Sequence, residues 1–163
     1  MISKEELRQA WCHRQRHLSE TQEQLRRVAF RWVRTGDVAT DTRLAEGSGL
    51  PPNIVRDELT VLEQQGLIVR NADGVVGIYG LSLVTTPHSL TLDGRSLFTW
   101  CALDAVGIVA GLHADAAVAA QCFHCQQDLT ICFQAGQVTA VSTADLCIWL
   151  PLPEQGRSAV GET

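Results

Sequence analysis

Leu67-Ile68-Val69-Arg70-Asn71-Ala72-Asp73-Gly74-Val75-Val76-Gly77-Ile78-Tyr79 is the stretch that decides the fold. Two β-branched runs flank Asn71-Ala72-Asp73-Gly74, and an Asp-Gly step tolerates the positive φ of a tight turn, so the stretch predicts a β-hairpin. Upstream of it the apolar period is helical. Leu25, Val28, Ala29, Trp32 and Val33 fall at i, i+3, i+4, i+7 and i+8, behind a capping box read at Thr21 and Gln24, and Gly36 ends that helix. A short helix through Thr42–Glu46 follows. Pro51-Pro52 then opens another that carries Val55, Leu59 and Leu62 and stops at Gly66. An earlier capping box, Ser3 with Glu6, predicts a first helix with Leu7, Ala10 and Trp11 on its apolar face. Helices followed by a hairpin are the order of a winged helix, so residues 1–80 are expected to form a winged-helix-like module.

Beyond Gly80 the pattern changes to short strands and turns. Ser89–Leu92, Ser96–Trp100, Asp128–Phe133, Gln137–Val141 and Leu146–Leu150 are strand candidates, and Ala102–Leu112 is a helix interrupted by Gly107 and Gly111. Residues 81–163 are therefore expected to form a second, α+β module with a small mixed or antiparallel sheet and one helix. The tail from Pro151 is expected to be loose.

Composition bounds the function. With 163 residues, 45% hydrophobic and 19% charged, the chain has ordinary globular composition. Its start carries no apolar leader, and its longest apolar run, Ala105–Leu112, is too short to span a bilayer, so a soluble cytoplasmic protein is expected. In that compartment thiols stay reduced, and the six cysteines (Cys12, Cys101, Cys122, Cys125, Cys132, Cys147) point to metal binding or catalysis rather than disulfides. The net charge of -5 is uneven: residues 1–34 hold eight Lys/Arg against four Asp/Glu, and residues 83–163 hold two against seven. Phosphate contacts would have to come from the first third. The expected recognition helix, Pro52–Gln65, offers Asn53, Arg56 and Gln64 but also Asp57, Glu58 and Glu63, and the wing sets Arg70 against Asp73, a thin footprint for a DNA reader that leaves a packing or dimerisation module as the alternative.

Two cysteine arrangements carry chemistry. In Thr99-Trp100-Cys101-Ala102-Leu103-Asp104 a thiol and a carboxyl stand three residues apart. If Cys101 opens the helix, its thiol lies at a positive helix end that lowers its pKa, and Asp104 shares its face. The alternative is a small buried cysteine and a carboxylate favoured by the helix dipole. Cys122-Phe123-His124-Cys125 is a knuckle that places two sulfurs on one ion. Structural zinc wants four ligands, and no second C-x-x-C exists, so Cys101, Cys132, Cys147 or His124 would complete a site only through the fold. Cys132 and Cys147 read as core residues of apolar strands. Cys12 and His13 read as a solvated helix face, and His88 and His113 have no recognisable partner. Phosphate loops, Ser-His-Asp patterns and paired carboxylates are missing from the sequence.

Gly80-Leu81-Ser82-Leu83, Leu92-Asp93-Gly94-Arg95 and Leu97-Phe98-Thr99-Trp100-Cys101-Ala102-Leu103-Asp104, with Cys122 about twenty positions on, resemble the alkylmercury (organomercurial) lyases. The resemblance runs in order over about residues 20–150 and is strong over 78–104. It implies protonolysis of a carbon–mercury bond without a cofactor. Cys101 would capture the organomercurial, Asp104 would take part in delivering a proton to the leaving carbon, and a second cysteine would share the mercury. Cys122 matches a family cysteine outside the catalytic pair, and the resemblance implies a structural role for it. The family's second catalytic cysteine is expected about where this sequence ends, at Gly161-Glu162-Thr163: either the sequence is a truncated form, or the protein lacks that cysteine and Cys147 or Cys125 is the candidate to replace it. The expected metal ligands are thus Cys101, Cys122, Cys125 and Cys147, with mercury as substrate and product. The competing expectation is a non-catalytic thiolate protein for zinc or copper, or a metal-responsive winged-helix regulator of DNA.

Overall fold

A computed structural model of the protein describes residues 18–148. The expected helix around Leu7–Trp11, with Cys12 and His13, and the tail from Pro151 lie outside the described residues. Within them the fold is mixed α+β. Helices α1 (Glu20–Arg34), α2 (Asp41–Ser48) and α3 (Pro52–Gln64) precede strands β1 (Ile68–Asn71), β2 (Gly74–Ile78), β3 (Leu81–Ser82), β4 (Ser89–Leu92) and β5 (Arg95–Thr99). Helix α4 (Ala102–Leu112) and strands β6 (Ala116–Gln121), β7 (Asp128–Gln134) and β8 (Gln137–Val141) complete it.

Helix α1 begins two residues before the position read from sequence. Ser19 is the N-cap: its side chain accepts the Gln22 N–H, and the Gln22 side chain accepts the Ser19 N–H, both at 3.1 Å. The reciprocal box forms on Ser19 and Gln22 rather than on Thr21 and Gln24. Leu25, Val28, Ala29 and Val33 are buried, as the helical period predicts. In α3 the buried residues are Val55, Leu59 and Leu62. Removing each such aliphatic side chain from water contributes about 1.5–3 kcal/mol.

The hairpin forms on the expected residues. The Asn71 side chain accepts the N–H groups of Asp73 and Gly74 at 2.9 and 3.1 Å, closing the turn between β1 and β2. Gly74 has φ +144°, and a Cβ there would meet the Ala39 carbonyl oxygen at 2.5 Å, where the chain bridges to Val75. Only glycine fits.

All eight strands belong to one antiparallel sheet, in the order β1-β2-β3-β5-β4-β6-β7-β8. The expected module boundary near residue 80 falls between β2 and β3, which pair with each other. Register sets Leu97, Leu90, Val118 and Ile131 side by side across four strands, and all four are buried. Helix α4 packs against β3, β4, β5 and β6 through Ala105 and Val109.

Strand β6, Ala116-Ala117-Val118-Ala119-Ala120-Gln121, has no counterpart among the expected strands, because alanine is the best helix former and only Val118 signals a strand. Conversely, residues 146–148 of the expected strand Leu146–Leu150 are not in a strand. Their apolar side chains line a cavity beneath α4 instead of entering the sheet.

Candidate functional site

Strand β5 delivers Cys101 to the start of α4, and three contacts fix its path. The Trp100 N–H donates to the Gly80 carbonyl at 2.8 Å, the Thr99 N–H to the His88 carbonyl at 3.0 Å, and the buried Thr99 hydroxyl to the Cys101 carbonyl at 3.1 Å. Cys101 is then the N-cap of α4, with extended backbone, and its sulfur accepts the Asp104 N–H at 3.4 Å. A thiol in the place usually held by Ser or Asp sits at the positive end of a helix with its proton free for another acceptor. That acceptor is Asp104: the Cys101 thiol donates to Asp104 Oδ2 at 3.0 Å.

Glycine makes room for the carboxyl. Gly80 has φ +82°, and a Cβ there would stand 2.3 Å from Asp104 Cγ. The positive φ and the close approach together demand the missing side chain.

Electrostatics depart from the expectation that the helix end lowers the Cys101 pKa. Burial pushes the thiol up to about 11, and the hydrogen bond to Asp104 and its charge add to that rise. The Asp104 and Leu103 N–H groups pull in the expected direction and are outweighed. Burial likewise raises the Asp104 carboxyl above its ordinary range, opposed by its hydrogen bonds with Cys101 and by His88. Burial lowers His88, against the attraction of Asp104, so this imidazole favours its neutral form, and its buried Nδ1 has no hydrogen-bond partner. The resting pair is a protonated thiol on a carboxylate that readily accepts a proton.

Two cavities flank the first turns of α4. An open cleft of about 340 Å³ is bordered by Tyr79, Leu103, Asp104, Gly107 and Ile108. Its Tyr79 wall has φ +52°. The Tyr79 hydroxyl donates to Glu23 Oε1 at 2.8 Å, and the Arg26 guanidinium lies 3.9 Å from the ring centroid. Burial first, then the Glu23 hydrogen bond, push its hydroxyl up to about 12. The second cavity, about 60 Å³, is apolar apart from His88 and Cys147; Ala102, Val106 and Ile131 are among its walls.

The four expected metal ligands do not gather into one cluster. Among the described residues, no three His, Cys, Asp or Glu side chains converge on a point where a metal ion would sit. Cys101 is paired with Asp104. Cys147, expected in the core, is exposed and lines the small cavity beside Ala102, the residue next to Cys101. Cys132, also expected in the core, is half-buried, because Ile131 and Phe133 on either side take the buried face. Cys122 and Cys125 meet each other on the turn between β6 and β7, and N–H groups of Cys125 and His124, with the Cys125 thiol, hold Cys122 below the usual cysteine value.

His88 and Tyr79 join the site without a local sequence signal. A histidine preceding a β-strand carries no local signal of its site; only the pairing of β4 with β5 brings it to Asp104. Gly80, by contrast, stands among the residues that carried the family resemblance.

Comparison with known proteins points to one family. Residues 81–163 match the family model described as alkylmercury lyase (MerB). The alkylmercury lyase of Staphylococcus epidermidis is 26% identical over 146 residues, covering 85% of this chain and 66% of that protein. The alkylmercury lyase of Pseudomonas putida is 33% identical over 96 residues, covering 58% and 45%. A crystal structure of the mercury-bound form of MerB2 aligns with a TM-score of 0.73 at 28% identity, over 85% of this chain and 68% of that one. The chain spans about half to two thirds of the length of the curated relatives it matches.

Proposed function

Because this chain belongs to the alkylmercury lyase family, we propose that it breaks carbon–mercury bonds by protonolysis, with Cys101 and Asp104 as its reacting groups. The observation that carries this reading is the 3.0 Å hydrogen bond from the Cys101 thiol to Asp104 Oδ2. A free thiolate is scarce at neutral pH when the thiol is pushed up to about 11, so the carboxylate serves as the base that takes the proton as sulfur bonds to mercury. Mercury is soft and prefers thiolate to oxygen ligands. The proton then moves from Asp104 to the carbon as the carbon–mercury bond breaks. The anion that mercury carried departs as the Cys101 sulfur bonds to it; the thiol proton rests on the carboxyl and ends on the hydrocarbon as a second thiolate takes the place of carbon on mercury, so the step balances with no redox or organic cofactor. Raising of the Asp104 carboxyl by burial suits it to carry that proton.

Cys147 is our choice for the second thiolate on mercury. It lines a cavity with Ala102 and His88, the immediate neighbours of Cys101 and Asp104. Mercury held by two thiolates leaves when solution thiols exchange for them, so turnover requires excess thiol. The open cleft at Asp104 and Gly107 is where we place the organic group of the substrate.

Residues 18–80 we read as winged-helix-like, from the order of α1, α2, α3 and the β1–β2 hairpin. The wing's cation is engaged within the fold, since Arg70 pairs with Asp41 at 3.2 Å and Glu63 at 3.9 Å. This favours a packing role over phosphate contact.

The test is release of benzene from a phenylmercury salt in excess thiol. Wild-type protein is expected to release it, and Cys101→Ser and Asp104→Asn to lose roughly 10²–10⁴ of the rate, the range for removing a positioned proton carrier. Phenylmercury bound by the wild type without benzene release would sink the lyase reading.

A further inference from the structure

The Cys122–Cys125 knuckle has no part in the reaction just described, yet its turn is built. The Cys122 N–H donates to the Gln127 carbonyl at 2.8 Å and the Gln126 N–H to the Cys122 carbonyl at 2.9 Å. The Gln126 side chain donates to the Phe123 carbonyl at 3.0 Å, and Gln126 itself adopts φ +58°. Below the turn the Gln121 amide donates to Asp128 Oδ1 at 3.1 Å. The Gln126-to-Cys122 bond closes one helix-like turn over residues 122–126, which sets Cys122 and Cys125, three residues apart, on one side of it.

Coordination number narrows the occupant. Zinc in a structural site takes four ligands, and among the described residues no third His, Cys, Asp or Glu joins this pair. Two thiolates alone satisfy a soft, filled-shell cation that is content with linear two-coordination. The mercuric ion is such a cation, and the proposed lyase chemistry would produce it.

Topology sets the knuckle near the reacting pair. Strand β4 runs antiparallel to both neighbours, with Ser89 opposite Phe98 of β5 and Ala119 of β6. Three residues past that row, the chain leaving β5 reaches Cys101, and the chain leaving β6 reaches Cys122. Both cysteines therefore emerge from the same end of the sheet, from strands two spacings or roughly 10 Å apart.

We propose that Cys122 and Cys125 form a second thiolate site that accepts the inorganic mercuric ion as a two-coordinate complex. Two mercury–sulfur bonds form here as two break at the donor thiolates, and the two thiol protons pass to the departing sulfurs. The identity of the ion rests on the lyase reading; the site itself does not.

The experiment uses the full chain carrying Cys101→Ser and Cys147→Ser, titrated with mercuric chloride against glutathione as competitor. No carbon–mercury bond is involved, so failure here is separable from failure of the lyase assay. One mercuric ion per chain is expected, with two sulfur neighbours by X-ray absorption. Adding Cys122→Ser or Cys125→Ala is expected to weaken retention by at least about 10²-fold, the lower end of the gain from tethering two ligands. Cys125 is exposed, so the Cys125→Ala arm, with its fold checked by circular dichroism, decides the matter if Cys122→Ser fails to fold. Unchanged retention in the Cys125→Ala arm, or one ion shared by two chains with four sulfurs, would overturn the proposal.

Discussion

Replacing Asp104 by Asn removes the charge that accepts the Cys101 proton while keeping a side chain of the same shape. In the wild type the Cys101 thiol stands at about 11 against an ordinary value of 9.0. Near pH 8 that corresponds to about one thiolate per thousand molecules, whereas an unperturbed thiol would give about one in ten. The ratio, about a hundredfold, is a ceiling, because burial is the largest cause of the rise and survives the substitution. Loss of the carboxylate's hydrogen bond and repulsion accounts for the remainder, so alkylation of Cys101 by iodoacetamide is expected to accelerate about tenfold. The assay is the rate of Cys101 labelling near pH 8, resolved from the other cysteines by peptide mass spectrometry. Release of benzene from phenylmercury is expected to fall in the same variant, giving a more reactive thiol in a slower protein. Labelling that is unchanged or slower in Asp104→Asn would refute the assignment of the raised thiol to its carboxylate neighbour.

Three further substitutions test the surroundings. Gly80→Ala meets both a left-handed φ and the Asp104 carboxyl at 2.3 Å, so it is expected to cost about 1–3 kcal/mol of stability in denaturant titration and to abolish benzene release. Tyr79→Phe removes a 2.8 Å hydrogen bond to Glu23 and is expected to cost about 1–2 kcal/mol near neutral pH. Since folding raises the Tyr79 hydroxyl from 10.0 to about 12, its contribution is whole below the lower value and lost as pH rises through the upper. The stability gap between wild type and Tyr79→Phe is therefore expected to close over that alkaline interval, and a constant gap would contradict the assignment. Cys147→Ser is expected to slow turnover about tenfold at limiting solution thiol and to recover in excess thiol, because an external thiolate takes the place of the tethered one. A wild-type rate at limiting thiol would remove Cys147 from the mercury site.

Much of this was legible in the sequence where the signal is local. The period of Leu25 to Val33, the Asn71–Gly74 turn and the spacing of Cys101 and Asp104 each fix a neighbourhood of a few residues, and each forms as read. Strand β6 is strand-like only because β4 and β7 leave a slot between them, a tertiary demand that overrides the helix propensity of its alanines. Leu146–Ile148 failed in the opposite sense, since an apolar run packs equally well as a cavity wall. For Cys101 the helix end acts in the expected direction but is outweighed by burial and by the hydrogen bond and charge of the carboxylate, none of which a position at a helix start encodes. His88 reaches Asp104 through strand pairing, which no short motif encodes.

The pairing of β2 with β3 bears on where this chain tolerates being cut. The segment that matches the family model starts at Leu81, inside β3, while the neighbour of β3 on one side, β2, lies before it. A fragment beginning there would expose a bare sheet edge of unpaired N–H and C=O groups, a template for pairing with another chain and for aggregation. It would also lack Gly80, whose carbonyl anchors Trp100 and whose missing side chain leaves space for the Asp104 carboxyl. The helical first half thus acts as the selvedge of the sheet that carries Cys101 and Asp104, and trimming to the matched segment would fray the site from its margin inward.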